Sequence, residues 1–223
     1  MKIIGYVRSD FPTKFGIPRQ SGIAERLVSR IVFEKEYRVR EAFRGLEEYS
    51  HIWVLWQFSE TVREDWSPTV RPPKLGGNKR VGVFATRSPF RPNNIGLSSV
   101  RLEKIDFDAK DGPVLYISGA DIMDNTPVYD IKPYIAYTDS HPDSICGFAL
   151  PPDARPLTVN FPTELLEKIP EGKREALISV LEQDPRPGYI DDDRRCGFRF
   201  AGLEIGFRVA DGILTVCDVE KIG

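Results

Sequence analysis

Short runs of β-branched and aromatic residues, each cut off by glycine, proline, asparagine or aspartate, constrain this chain more than any other feature. In order they are KIIGYVRS, ERLVSRIVF, SHIWVLWQFSE, KRVGVFAT, IGLSSVRLEKIDF and VLYISGADIM, with turns such as AKDGP between them. Such side chains fit a pleated, half-buried surface, so each run predicts a strand. SHIWVLWQFSE is almost continuously apolar, the pattern of a strand buried on both faces. REAFRGLEEYS predicts one short helix. Many short strands with few helices point to a β-barrel or sandwich and away from a doubly wound sheet.

The character changes over residues 139–162, DSHPDSICGFALPPDARPLTVNFP, which reads as a linker. Beyond it Pro162 opens the helical TELLEKI, PEG breaks it, and KREALISVLEQD sets Leu177, Val180 and Leu181 on one stripe, a core-facing pattern. GLEIGFRV and GILTVCDVE, joined by Asp211-Gly212, form a hairpin signal. The expected organisation is a β-barrel domain over 1–140, a linker over 141–162 and a small C-terminal α+β domain over 163–223.

Several functional classes fail at the level of residues. With 41% hydrophobic and 29% charged residues in 223, the chain is expected to be a soluble globular protein. No apolar run approaches the roughly 20 residues that span a bilayer, and MKIIGYVRSD lacks a signal-peptide pattern, so a cytoplasmic location is expected. Cys146, Cys196 and Cys217 stand far apart and only His51 and His141 are present, so neither a disulfide framework nor a metal site is expected. No two glycines stand at i and i+2, which removes the G-x-G-x-x-G dinucleotide turn. Gly77 and Gly82 have a phosphate-loop spacing, but Val83 stands where the lysine belongs. Ser98 and Ser99 lack a nucleophile elbow, and His141 with Cys146 lies in the proline-rich linker, which would hold a dyad poorly. His51 reads as a strand-edge histidine.

A net charge of −2 conceals a segregation of charge. From Trp66 to Leu102 there is no Asp or Glu, yet Arg71, Lys74, Lys79, Arg80, Arg87, Arg91 and Arg101 fall there. A charge run is often only a solvated face. Here the cations stand among Pro72, Pro73, Gly76, Gly77, Pro89 and Pro92, in backbone too irregular for a helix face. Fixed cations on a stiff loop suit an anionic partner, RNA or a nucleotide first.

Five stretches carry a family resemblance: PRQ at 18–20, RGLEEYSHIWVLWQF at 44–58, PTVRPPKLGGNKRVGVFATRSPFRPNNIGLS at 68–98, DIKPY at 130–134 and QDPRPGY at 183–189. With them the chain resembles the TrmO/YaeB family of tRNA methyltransferases over nearly its whole length. The resemblance implies an S-adenosylmethionine-dependent enzyme with a non-Rossmann N-terminal β-barrel. Its acceptor would be N6 of N6-threonylcarbamoyladenosine at tRNA position 37, and its cofactor site would lie near a homodimer interface. One departure is Asn125, where the family carries glycine; asparagine tolerates positive φ, so the turn is expected to survive.

By the same resemblance Pro18, Arg19, Gln20, Arg87, Leu97 and the Ser118, Gly119, Ala120, Asp121 stretch are expected at the cofactor, and Glu60 is a further cofactor candidate on the chemistry of its carboxylate. Arg87 would pair with the methionine carboxylate, Asp121 or Glu60 would accept from ribose hydroxyls or the ammonium, and Leu97 would wall the adenine. Asp124 or a water would take the proton from the acceptor nitrogen. Lys74, Lys79, Arg80 and Arg91 would hold phosphates of the single-stranded anticodon loop, and the C-terminal domain would contact RNA or support a dimer. Two other readings stay open: a noncatalytic RNA-binding barrel, and a cofactor-dependent methyltransferase acting on something other than tRNA.

Overall fold

The structure, a computed structural model, describes residues 1–62, 65–72, 75, 78–148, 156–186, 190 and 192–222. Its strands are β1 (Gly5–Arg8), β2 (Val28–Phe33), β3 (His51–Gln57), β4 (Thr69–Val70), β5 (Val81–Gly82), β6 (Ile95–Asp106), β7 (Val114–Ser118), β8 (Pro127–Pro133), β9 (Thr158–Asn160), β10 (Cys196–Phe200), β11 (Leu203–Ala210) and β12 (Ile213–Lys221). The helices are α1 (Ala136–Asp139), α2 (Thr163–Leu166) and α3 (Glu171–Glu182).

β1, β2, β7, β6, β3 and β8 close, in that order, into a barrel whose pairings are all antiparallel. Closure leaves no free edge and buries Val7, Ile31, Ile52, Val54, Trp56, Val100, Leu115, Ile117 and Val128 inside. A strand in such a barrel needs one apolar face only. β3 therefore alternates between half-buried and fully buried positions and is not covered on both sides as its composition predicts. Ile52, Val54 and Trp56 are its buried set.

Other differences have local causes. REAFRGLEEYS forms two 3-10 turns, Arg40–Phe43 and Leu46–Glu48, because Gly45 between them takes φ 85°, a left-handed conformation that ends a helix. The first turn delivers Phe43 edge-on to Phe33 at 4.8 Å. KRVGVFAT keeps only Val81–Gly82 in a strand before turning over Val83–Ala85. β8 opens on Pro127, a residue that argues against strand interiors and hides this strand from a sequence reading; at a first position it is tolerated. Asn125 sits at φ 60°, so the turn before β8 survives without glycine.

The C-terminal sheet runs β10-β11-β12-β9. β9 lies inside the stretch that reads as a linker and pairs in parallel with β12, and β10 is a second strand without a clear sequence signal. The Asp211-Gly212 hairpin forms as expected, both residues at positive φ. Leu177, Val180 and Leu181 of α3 are buried against this sheet.

One packing arrangement is not legible locally. Phe11, Ala24 and Leu27, on the excursion from β1 to β2, belong to the C-terminal core together with Phe198, Phe200, Leu203, Ile205 and Phe207. A second close fit sets the barrel interior. A Cβ on Gly96 would lie 2.2 Å from the Trp56 ring, so the indole occupies the space that any side chain there would need. Gly96→Ala is expected to cost about 1–3 kcal/mol by overpacking, read as a lowered unfolding midpoint with altered tryptophan fluorescence.

Candidate active site

The loop from Thr86 to Asn94 has no regular structure, and its own side chains stitch it together. Thr86 Oγ1 donates to Val83 O at 2.8 Å, Asn94 Nδ2 donates to Pro89 O at 2.7 Å, and Arg91 Nη1 donates to Thr86 O at 3.0 Å. The Arg91 guanidinium also lies over the Phe84 ring. Arg91, expected on RNA, thus turns back onto its own loop. The prolines restrict φ and these bonds fix the remaining freedom, which leaves Arg87 exposed on a rigid support.

Arg87 Nη1 donates to Gln20 Oε1. The Gln20 loop is in turn sewn to the Ser118–Asp121 bend: Gly22 N donates to Gly119 O at 2.9 Å and Gly119 N to Leu27 O at 3.1 Å. Gly119 has φ 73° and a Cβ there would stand 3.3 Å from the Gly22 backbone, so glycine serves both conformation and close approach. Asp121 completes the cluster. Its Oδ1 accepts from Ser98 Oγ at 2.6 Å, and Ser98 Oγ accepts from Trp56 Nε1 at 3.0 Å. Burial pushes the Asp121 carboxyl above its ordinary value, opposed in order by the Ser98 hydroxyl, its own backbone, the Arg87 charge and the Ser21 backbone.

Four separated stretches therefore converge: Gln20, Arg87, the Gly119 backbone with Asp121, and Ser98 backed by Trp56. The remaining candidates are placed otherwise. Pro18 is buried. Arg19 Nη2 reaches across to Arg186 O at 3.1 Å. Ser118 Oγ donates to Glu103 Oε1 at 2.5 Å, and Ala120 is buried, so that bend offers backbone and the Asp121 carboxylate. Leu97 is 56% exposed on the outer barrel face. Glu60 is exposed on the 3-10 turn after β3, and Asn94 Nδ2 reaches Thr61 O in that turn at 3.5 Å. Asp124 is a turn acceptor: Ser9 N donates to its Oδ1 at 2.9 Å, beside an open cavity shared with Arg199 and Ile222. Lys79 and Arg80 are exposed, Arg80 donating to Thr69 Oγ1 at 2.8 Å. Lys74 lies outside the described residues. Among the described residues no cluster suited to a metal ion occurs.

Sequence reading does not single out Ser98 and Trp56 as partners of Asp121. The available signal is a serine at an inward position of β6, where its inward neighbours on either side are Gly96 and Val100.

Residues 6–140 match the family model for the tRNA-methyltransferase O N-terminal domain, and residues 154–222 match that for the TrmO C-terminal domain. The chain belongs to the TrmO family. It is 43% identical over 192 residues to the tRNA (adenine(37)-N6)-methyltransferase of Escherichia coli, covering 83% of this chain and 81% of that one. It is 41% identical over 213 residues to a putative S-adenosylmethionine-dependent methyltransferase, RcsF, of Pseudomonas aeruginosa, covering 91% and 89%. The solved structure of TrmO from Pseudomonas aeruginosa superposes with a TM-score of 0.77 at 34% identity, covering 98% of this chain and 96% of that one. A mainly β fold with a barrel and a small second sheet is thus a property this chain shares with TrmO structures.

Burial of Asp121 couples stability to pH. A carboxyl whose folded value is raised contributes stability that is full below its ordinary 3.8 and is lost as pH rises through the folded value. At neutral pH the ionised, desolvated group opposes folding. Asp121→Asn is therefore expected to raise the unfolding midpoint of the ligand-free protein at pH 7, with the gain shrinking toward pH 4. An unchanged midpoint at both pH values would contradict the assignment.

Proposed function

We infer that this protein is an S-adenosylmethionine-dependent methyltransferase acting on N6 of adenine 37 in tRNA, with N6-threonylcarbamoyladenosine as the acceptor. Its TrmO membership and the names of its relatives support the activity and the cofactor. The observation that carries the site is the convergence of Gln20, Arg87 and Asp121 from three distant stretches. The residues present fit the cofactor: an exposed guanidinium on a rigid loop suits a carboxylate. The desolvated Asp121 carboxylate beside it suits a cation or a pair of hydroxyls.

When bound, S-adenosylmethionine supplies a methyl group already activated on sulfonium. The chain's task is then orientation. We assign Arg87 to the methionine carboxylate, Asp121 to the ribose hydroxyls or the ammonium, and Leu97 to an apolar wall. Gln20 holds Arg87 in place, and Ser98 with Trp56 holds Asp121. Lys79 and Arg80, exposed on the acid-free segment, are assigned to tRNA phosphates.

Trp66, Phe84 and Leu97 all belong to the basic segment and are exposed, with the Trp66 and Phe84 rings 6.0 Å apart. The exposed Trp66–Phe84 pair, tied to the Arg87 loop by the Arg91 guanidinium over Phe84, supports association as a homodimer there. Among the described residues no helix is long and apolar enough to cross a membrane, and a substrate such as tRNA favours a cytoplasmic protein.

Methyl transfer from labelled S-adenosylmethionine tests the reading directly. Label is expected in tRNA that carries the threonylcarbamoyl group and not in tRNA that lacks it. Equal labelling of both would make plain adenine 37 the acceptor, and tight cofactor binding with no labelling of either would remove tRNA as the substrate.

A further inference from the structure

The QDPRPGY stretch of the C-terminal unit combines an acid, an arginine and two prolines, and its arginine would ordinarily be assigned to RNA. The geometry of Asp184 and Arg186 assigns it elsewhere. Asp184 sits at φ 50°, and its two oxygens take Arg186 Nε and Nη2, each at 2.8 Å. The Arg186 backbone N–H donates to the same carboxylate at 3.3 Å, and Arg186 Nη1 donates to Asp192 O at 3.3 Å. The Arg186 side chain is only 14% exposed. Its fork is engaged by Asp184 and the Asp192 carbonyl, and a phosphate would have to displace a bidentate carboxylate.

What this closed turn presents to the barrel is a backbone carbonyl. Arg186 O accepts from Arg19 Nη2 at 3.1 Å, across 167 residues of sequence. Arg19 is flanked by buried Pro18 and by Gln20, which accepts from Arg87. The same loop is bound to the C-terminal unit at further points. Phe11, Ala24 and Leu27 are in its core, Ala201 N donates to Asp10 O at 2.8 Å, and Lys173 Nζ meets Asp10 Oδ2 at 2.6 Å. A Cβ on Gly16 would lie 2.2 Å from the Phe198 ring. Between β1 and β2 this segment has no ladder of its own, so its shape depends on these contacts.

We propose that the Asp184–Arg186 turn is a positioning element for the cofactor loop, holding Arg19 so that Gln20 stands against Arg87. The proposal rests on reading Pro18–Gln20 and Arg87 as cofactor-binding. On this view the C-terminal unit shapes the methyl-donor site of the barrel, and the arginine of QDPRPGY acts through the loop and not on RNA.

The test compares Asp184→Asn, which loosens the turn that carries Arg186 O, with Arg19→Met, which removes the donor to that carbonyl, and with Gln20→Ala and Arg87→Ala as probes of the cofactor site. S-adenosylmethionine affinity is measured by calorimetry, tRNA affinity by filter binding, and KM and kcat by methyl transfer. Asp184→Asn is expected to raise the dissociation constant and KM for the cofactor by about 3- to 30-fold. kcat at saturating cofactor and tRNA affinity are expected to stay within about twofold, and Asp184→Asn is expected to add little in the Arg19→Met background. Unchanged cofactor affinity in Asp184→Asn, while Gln20→Ala and Arg87→Ala weaken it, would overturn the positioning role alone. Weakened tRNA binding with unchanged cofactor affinity would make the turn an RNA contact instead. If Gln20→Ala and Arg87→Ala also leave the cofactor affinity unchanged, the cofactor reading fails and this proposal with it. Should Asp184→Asn lose its cooperative unfolding transition, Arg186→Lys, which keeps the charge and opens the fork, is judged by the same criteria.

Discussion

Arg87→Ala is expected to weaken S-adenosylmethionine binding by about 10- to 100-fold, the loss of a charge-assisted hydrogen bond worth roughly 1.5–3 kcal/mol. The variant deletes the fork assigned to the methionine carboxylate, leaves Gln20 Oε1 without its donor, and removes a positive charge that favours ionised Asp121. All three effects act on the same ligand. Arg87→Lys is expected to recover part of the affinity, because it restores charge without the planar fork. Since the Arg87 loop is held by Thr86, Arg91 and Asn94, neither variant should alter the unfolding midpoint by more than a degree or two. Calorimetric titration with the cofactor checks the effect. A dissociation constant unchanged by Arg87→Ala would remove the residue from the site and leave Asp121 as its charged anchor.

Phe11→Ala should have the largest effect on stability. Phe11 is fully buried, with its ring 5.3 Å from that of Phe200 and 6.2 Å from that of Phe198. Truncating a buried phenylalanine costs about 3–5 kcal/mol. In a protein of this size that is a fall of roughly 6–20 °C in the unfolding midpoint. Phe11 follows β1 closely but fills the C-terminal core, so its loss should loosen both the small sheet and the Gln20 loop. Calorimetric unfolding is expected to show one transition moving downward as a unit, together with weaker cofactor binding. A fall in midpoint with cofactor affinity intact would separate the C-terminal core from the site.

Much of the barrel is legible because strand preference and turn chemistry are local. The β-branched runs around Val7, Ile31, Val54, Val100 and Ile117 become barrel strands, and Asp211-Gly212 makes its hairpin. Differences arise where one residue decides the outcome. Gly45 turns an expected helix into two short turns, and Pro127 disguises a strand that closes the barrel. Thr158–Asn160 carries too little apolar sequence to announce a strand and exists because β12 offers it an edge. At the site, the resemblance singles out Arg87, Gln20 and Asp121, but gives no role to the Ser98 and Trp56 side chains behind Asp121, although both lie within its motifs.

The sequence alone specifies which segments favour extended backbone, where turns must fall, that the cations gather on one acid-free stretch, and which family the motifs resemble. Folding was needed to bring Asp121 to Ser98, Gln20 to Arg87 and Arg19 to Arg186, across 23, 67 and 167 residues respectively. Propensity and periodicity act over a few neighbouring residues. These three pairings depend on barrel closure and on the burial of one loop in a second core, so no local pattern encodes them.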